Sequence, residues 1–342
     1  MRGTSTEANE GNEERKNNSS SFPLFASVQS SNRHVIGIDV GGTKIAAGLM
    51  EFPEGRVLAQ RLTPTLAHRG GRPVLDDVLR LARELAGATE RVDAIGLGVC
   101  ELVDRDGKVA SSNCIHWQGQ PVREELSTIA PAVLEADVRA AALAESLFGA
   151  AKPFRTFLYV TVGTGISCCL MLEGKPFLGA RGATGTMGSS PLSIPCEQCG
   201  HVSQRTLEEI AAGSALVTRF NALHGSVATG HEVLAAATAG SSMAAKIVRS
   251  ASEALEAQVA LLVNVLDPEA VVIGGGLGLS DGPYWDHFID STRCHIWSEL
   301  HRDLPILRAG TGVDAGWIGA AVRACQEFPN GSNQPQTLKS KT

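Results

Sequence analysis

Residues 35–50 read V-I-G-I-D-V-G-G-T-K-I-A-A-G-L-M, two apolar runs separated by an acid, two glycines, a threonine and a lysine. Strand-length apolar runs around a glycine turn commit this stretch to a strand-turn-strand unit buried on both sides. The pattern recurs as V-T-V-G-T-G-I-S-C-C-L-M-L, ending at Leu172. Recurrence predicts an internal duplication. Each copy continues into alternating helical and strand patterns, which predicts an α/β chain of two lobes with duplicated mixed sheets and a ligand cleft between them.

The periodicities predict helices over 74–85, 140–148, 207–223, 242–266 and 315–325, and strands over 94–99 and 270–273. The 242–266 helix is expected to stop at Asp267-Pro268, since proline cannot continue it. The 270–273 strand opens directly into Gly274, Gly275 and Gly276. One lobe is expected over 34–148 together with 314–328, and the other over 149–313. Residues 1–33 and 329–342 are polar, and we expect them to be disordered tails.

With 342 residues, 43% of them apolar and 19% charged, the chain can build a sizeable core. A net charge of −6 argues against a general binder of nucleic-acid backbone, which needs clustered Lys and Arg. A small-molecule partner is the better expectation. No apolar run approaches the ~20 residues of a membrane helix. The first 33 residues are too few and too polar for a helix-turn-helix domain. Cysteines 100, 114, 168, 169, 196, 199, 294 and 325 are spread through strand- and helix-like surroundings, which fits a reducing cytoplasm.

Gly41, Gly42 and Thr43 form a turn whose backbone amides can point outward as a nest for an anion. Asp39 ends the strand feeding it. A carboxylate there suits the waters of a Mg²⁺ ion bridging phosphates better than phosphate itself. Gly163, Thr164 and Gly165 offer a second nest. Gly274 to Gly276 suit either a plain strand-to-helix turn or the close approach of an adenine and ribose. Each turn alone also reads as an ordinary hairpin. Neither a Walker A pattern nor G-x-G-x-x-G after a strand is present.

Taken together, Asp39 to Lys44 (D-V-G-G-T-K), G-L-G-V at 96–99, Asn113 with Trp117, the turn at 163–165 and L-V-N-V-L-D-P-E-A-V-V-I-G-G-G at 262–276 resemble the ROK family (repressor, open reading frame, kinase) in content and order. The likeness runs from about residue 34 to 325. It implies the two-lobed actin-like ATPase fold of sugar kinases, Hsp70 and actin. It also implies ATP and Mg²⁺ as cofactors, phosphorylation of glucose or a related hexose or N-acetylhexosamine, and allows a homodimer. Matched to the family pattern, Asp39, Gly41, Gly42, Thr43, Lys44, Gly163, Thr164, Gly165, Gly274, Gly275 and Gly276 would hold the nucleotide. Asp137, in A-D-V-R ahead of an Ala-rich helix, would be the catalytic base, and Asn113 and Glu208 would join it at the sugar. Read without the family, Asp137 is a helix N-cap and Glu208 a first-turn acid.

The likeness breaks on the sugar side. A usual G-E-x-G-H segment is here Gly185-Thr186-Met187-Gly188-Ser189, so Thr186 and Ser189 replace an acid and a histidine. Cys100-Glu101 replaces Pro-Gly, and Ala136 replaces an Asn. The usual zinc cluster is reduced to Cys196, Cys199 and His201, with Thr206 in place of a further cysteine. Structural zinc takes four ligands, so zinc and a pair of ordinary thiols both stay open. A non-catalytic sugar or nucleotide sensor of the same fold is the alternative function.

Overall fold

The computed structural model describes residues 32–195, 202–224 and 226–329. In chain order the first elements are β1 (Arg33–Val40), β2 (Lys44–Phe52), β3 (Arg56–Pro64), α1 (Gly71–Ala86), β4 (Ala94–Val99), α2 (Val122–Leu126), β5 (Ala132–Ala136) and α3 (Asp137–Phe148). Then come β6 (Phe157–Val162), β7 (Ile166–Leu172), β8 (Lys175–Pro176), β9 (Pro191–Pro195), β10 (Val202–Thr206), α4 (Glu208–Ala211), α5 (Gly213–His224) and α6 (Gly230–Thr238). The chain closes with α7 (Ser242–Leu266), β11 (Ala270–Gly274), α8 (Pro283–His295), α9 (Glu299–Arg302), β12 (Ile306–Arg308) and α10 (Ala315–Glu327).

The strands form two five-stranded sheets, β3-β2-β1-β4-β5 and β8-β7-β6-β11-β12, with a separate β9-β10 ribbon. The senses match as well as the order. In each sheet the first three strands run antiparallel and the last two add in parallel. The duplication expected from two strand-turn-strand copies is therefore present at the level of whole sheets. Strands β4 and β11 are apolar and buried along their whole length, and β1 is mostly buried although it carries Arg33, His34 and Asp39. The edge strand β3 is mostly exposed and carries Arg56, Gln60 and Arg61, which discourage further strand pairing.

Helix α10 packs on β1, β4 and α3, and backbone proximity explains how closely. Gly37 on β1 is in register with Gly48 on β2 and Gly96 on β4, so three glycines line up across the sheet. A Cβ on Gly37 would lie 1.9 Å from the Trp317 carbonyl, and one on Gly96 1.8 Å from that of Ala320. On the helix itself, a Cβ on Gly319 would lie 1.6 Å from the Ala140 carbonyl of α3. The glycines form a groove that seats α10 against backbone. At the far end of α3, Glu145 is fully buried and accepts the amides of Ala150 (2.8 Å), Gly310 (2.8 Å) and Thr311 (2.7 Å), together with the Thr311 hydroxyl. That carboxylate fastens α3 to the segment leading into α10.

Helix α7 matches the predicted 242–266. Ser241 caps it through the Ala244 amide at 3.3 Å, and Asp267 ends it in a left-handed conformation. The helix expected over 207–223 is instead two helices. Ala212 is extended (φ −72°, ψ 160°), and the following Gly213 amide donates to the Gly163 carbonyl at 2.8 Å. A tertiary hydrogen bond to the glycine turn thus breaks a continuous apolar pattern. Helix α6 is absent from the expected elements, although Thr229 caps it by accepting the Glu232 amide (3.3 Å) and Glu232 reaches back to accept the Ala228 amide (2.8 Å). Among the described residues, no helix is long and apolar enough to cross a membrane.

Candidate active site

The first turn closes with the Gly41 amide donating to the Lys44 carbonyl at 3.0 Å. Buried Thr65, just beyond β3, braces it by donating its hydroxyl to the Gly41 carbonyl at 2.6 Å. Gly41 and Gly42 are half-buried, and Thr43 and Lys44 are exposed, so the turn faces outward from an otherwise buried hairpin. Asp39, two residues before it, points into the packing between β4 and α10. A Cβ on Gly316 would lie 2.3 Å from its Oδ2, and one on Gly98 3.6 Å from its Oδ1. Oδ1 is buried and has no hydrogen-bond partner. Burial first, and the negative charge of Asp137 second, push the Asp39 carboxyl up to about 7 against the pull of Lys44.

Asp137 opens α3, with Ala136 in the cap position. Its Oδ1 accepts the next amide, Val138, at 2.6 Å. Burial raises this carboxyl to about 6, even though that amide and the charge of Arg139 pull it down. Two carboxyls whose charges repel, each holding its proton close to neutrality, therefore share the C-terminal edge of the first sheet. A proton acceptor poised near working pH is what general base chemistry calls for.

The second and third glycine turns come together. The Gly163 amide donates to the Gly165 carbonyl at 2.9 Å, and a Cβ on Gly163 would lie 3.8 Å from the Gly276 nitrogen. The Val162 carbonyl accepts the amides of Leu277 (2.9 Å) and Gly278 (3.0 Å), which binds the turn after β11 to the end of β6. Gly275 has φ 83°, a conformation suited to glycine alone, and a Cβ there would lie 2.5 Å from the Val162 carbonyl. Tyr159 on β6 sits under the third turn. Its hydroxyl sits where a Cβ on Gly274 would reach within 2.2 Å, and burial together with the charges of Glu145, Asp137 and Asp39 raises its pKa.

Asn113 is exposed on the loop after β4, with its backbone amide held by Glu101 at 2.9 Å. The next residue, Cys114, places its sulfur 2.9 Å from where a Cβ on Gly42 would be, so this loop touches the first glycine turn. Glu208 opens α4, and its Oε2 accepts the Ile166 amide at 2.8 Å. A Cβ on Gly165 would lie 2.5 Å from that oxygen. One carboxylate oxygen of Glu208 thus braces the second glycine turn. Thr186 and Ser189 are both exposed around a short 3-10 turn. Cys196, Cys199 and His201 lie outside the described residues. Among the described residues, no group of three or more His, Cys, Asp or Glu side chains is placed to hold a metal.

A family model described as "ROK family" matches residues 35–327. The chain belongs to the ROK family. It is 32% identical over 301 residues to the bifunctional enzyme NanE/NanK of Brucella suis, covering 86% of this chain but 54% of that protein. It therefore spans about half the length of that relative. Against the glucokinase of Streptomyces coelicolor it is 29% identical over 315 residues, covering 86% of this chain and 98% of that one. A ROK glucokinase of Streptomyces griseus, solved in complex with glucose and AMPPNP, superposes with a TM-score of 0.74 at 29% identity, covering 86% of this chain and 99% of the other. This ROK chain has the two-lobed actin-like ATPase fold of those neighbours.

Several residues around the ROK site escaped the sequence reading. Arg139 is 2% exposed and donates to the Glu135 carboxylate (2.5 Å), the Gly182 carbonyl (2.9 Å) and the Val103 carbonyl (2.7 Å), joining α3 to two loops. An arginine inside an Ala-rich helix was the available signal. Ser214 donates to the Thr164 carbonyl at 2.6 Å. His231, second residue of α6, faces Gly276 with its Nε2 3.9 Å from the Cβ position and shares a 3.1 Å hydrogen bond with Ser280. Both sit at helix starts that depend on distant packing, which local periodicity does not report.

Proposed function

We propose that this ROK chain is an ATP-dependent hexose kinase acting on glucose or a related hexose or N-acetylhexosamine, with Asp137 as general base. One observation carries the proposal: the half-buried Asp137 carboxyl, raised to about 6, stands at the start of α3 and its charge acts on the raised Asp39. In this reading the sugar hydroxyl oxygen bonds to the γ-phosphorus, the bond to the bridging oxygen of ADP breaks, and the hydroxyl proton moves to an oxygen of Asp137. Amides of the turns at Gly41–Thr43 and Gly163–Gly165 would cradle phosphates, and the Gly274–Gly276 turn would admit the nucleoside. Lys44 would add charge at the rim. Asn113 and Glu208 would orient the sugar.

Asp39 suits a divalent cation, because its buried Oδ1 has no donor and its charge is disfavoured by its surroundings. When bound, Mg²⁺ supplies charge neutralisation on the phosphates. The Streptomyces griseus glucokinase, solved in complex with glucose and AMPPNP, supports nucleotide and sugar binding. A division into lobes over 34–148 with 314–328, and over 149–313, belongs to the same proposal, with α10 packed on the first sheet.

A coupled ADP-release assay over hexoses and N-acetylhexosamines tests the reading against Asp137→Asn. Release with at least one sugar, lost in the variant, is the expected outcome. No sugar above the variant's background would replace the kinase by the non-catalytic sensor, which exposed Thr186 and Ser189 at the sugar side otherwise favour.

A further inference from the structure

Glu101 follows β4 and is 5% exposed. A buried carboxylate needs partners, and Glu101 finds all of them in one stretch of chain. Its Oε1 accepts the amides of Cys114 (2.5 Å) and Ile115 (2.9 Å), while Oε2 accepts the Asn113 amide (2.9 Å) and the Ser111 hydroxyl. Ser111 in turn accepts the Leu102 amide at 2.8 Å, closing the loop on itself. Three consecutive backbone amides aimed at one carboxylate fix the path of the loop, not merely its attachment. That path sets two things. Asn113 stands exposed, and the Cys114 sulfur lies against Gly42 of the first glycine turn.

We propose that Glu101 is a positioning residue for the sugar: it does not touch substrate, but holds the 111–117 loop so that Asn113 is presented to the sugar and Cys114 abuts the phosphate turn. This rests on the kinase reading above. The family pattern has Pro-Gly where this chain has Cys100-Glu101, so the carboxylate is a local device of this chain for ordering its loop. The electrostatics agree with the geometry. Burial pushes the carboxyl up, yet the Asn113 amide, the Ser111 hydroxyl and the amides of Cys114 and Ile115 outweigh it and hold Glu101 below its ordinary value. Charge-assisted hydrogen bonds of this kind are the strong ones, and leaving their donors buried without an acceptor is costly. Glu101 also adds a raising contribution to Asp137, so its charge is felt at the base.

The experiment compares native chain, Glu101→Gln, Glu101→Asp and Ser111→Ala by steady-state kinetics and hydrogen–deuterium exchange. In Glu101→Gln we expect the sugar KM to rise on the order of tenfold, the ATP KM to stay within about twofold, and amides 113–115 to exchange on the order of tenfold faster. Exchange in α7 should not change. The acid limb of the kcat/KM profile should move to lower pH, because a negative charge near Asp137 has gone. Glu101→Asp should recover part of the sugar KM, and Ser111→Ala, which deletes one donor only, should show the same changes weakly if Glu101→Gln proves too unstable to purify. Unchanged protection of amides 113–115, or sugar and ATP KM rising together, overturns the proposal. A native chain that phosphorylates no sugar defeats the kinase reading, and the exchange arm then decides the loop anchoring separately.

Discussion

Replacing Asp39 by Asn removes a negative charge that the free protein holds against its surroundings. In the folded chain the carboxyl keeps its proton up to about pH 7, whereas its ordinary value is 3.8. Folding therefore takes up a proton between those values, and stability falls as pH rises through that window, with the loss complete above about 7. At ~1.4 kcal/mol per pH unit, the full gap corresponds to roughly 4 kcal/mol. Asp39 is half-buried, and solvent screening reduces that figure, so we expect Asp39→Asn to stabilise the free chain by about 2 kcal/mol at pH 8. At pH 5 the folded carboxyl is protonated while the unfolded one is ionised, so roughly a third of the advantage remains, and it should vanish only below the ordinary value of 3.8.

The assay is thermal unfolding of the two proteins without ligand across pH 5 to 8.5. A gain of that size raises the midpoint by several degrees in a chain of this length. The same variant should lose phosphoryl transfer, so stability and activity would move in opposite directions, as they do where function demands an unfavourable group. A midpoint difference independent of pH, or a native protein more stable than the variant at pH 8, would refute the electrostatic reasoning.

Two further outcomes follow from the same geometry. The kcat/KM of the native chain should rise with pH through the region of about 6 to 7, where Asp137 and Asp39 titrate as an interacting pair, and Asp137→Asn should cost about 10²- to 10⁴-fold; a flat profile would remove Asp137 as the base. Glu145→Ala should lower unfolding stability by about 3 kcal/mol, since it strands the amides of Ala150, Gly310 and Thr311 away from water, and a urea-unfolding loss under about 1 kcal/mol would contradict that.

Much of the architecture was legible in the sequence because it is written in local terms. The two strand-turn-strand copies, the capped helix α7 and the strand running into Gly274 are continuous patterns, and all three appear with ends within a residue or two. The break at Ala212 was not legible, because it answers to a hydrogen bond from Gly213 to Gly163, some fifty residues earlier in the chain. The glycine groove beneath α10 was equally hidden. Gly37, Gly48 and Gly96 are spaced irregularly in sequence and become a row only through strand register. At the site, Asp39 and Asp137 could be named, but their raised protonation required burial and mutual repulsion to be seen. Glu101 departs from the family pattern in sequence, and its role depends on the amides of 113–115 that only the fold brings around it.

Duplication also explains why the cleft is chemically one-sided. Asp39 precedes Val40-Gly41 in the first copy as Thr161 precedes Val162-Gly163 in the second, and each faces a glycine in parallel register, Gly98 and Gly274 respectively. Equivalent sheet ends thus offer equivalent hollows with different contents. The first holds a carboxylate, with Asp137 nearby. The second holds the hydroxyl of Tyr159 and opens onto amides of two glycine turns. An anion such as a polyphosphate gains from the amides and is repelled by the acids unless cations intervene, so it should extend from the second sheet toward the first and present its terminal group there. A sugar hydroxyl beside Asp137 would then meet that terminal phosphorus on the acid side. In the kinase reading, the direction of transfer would follow from a single unequal position in an otherwise repeated unit.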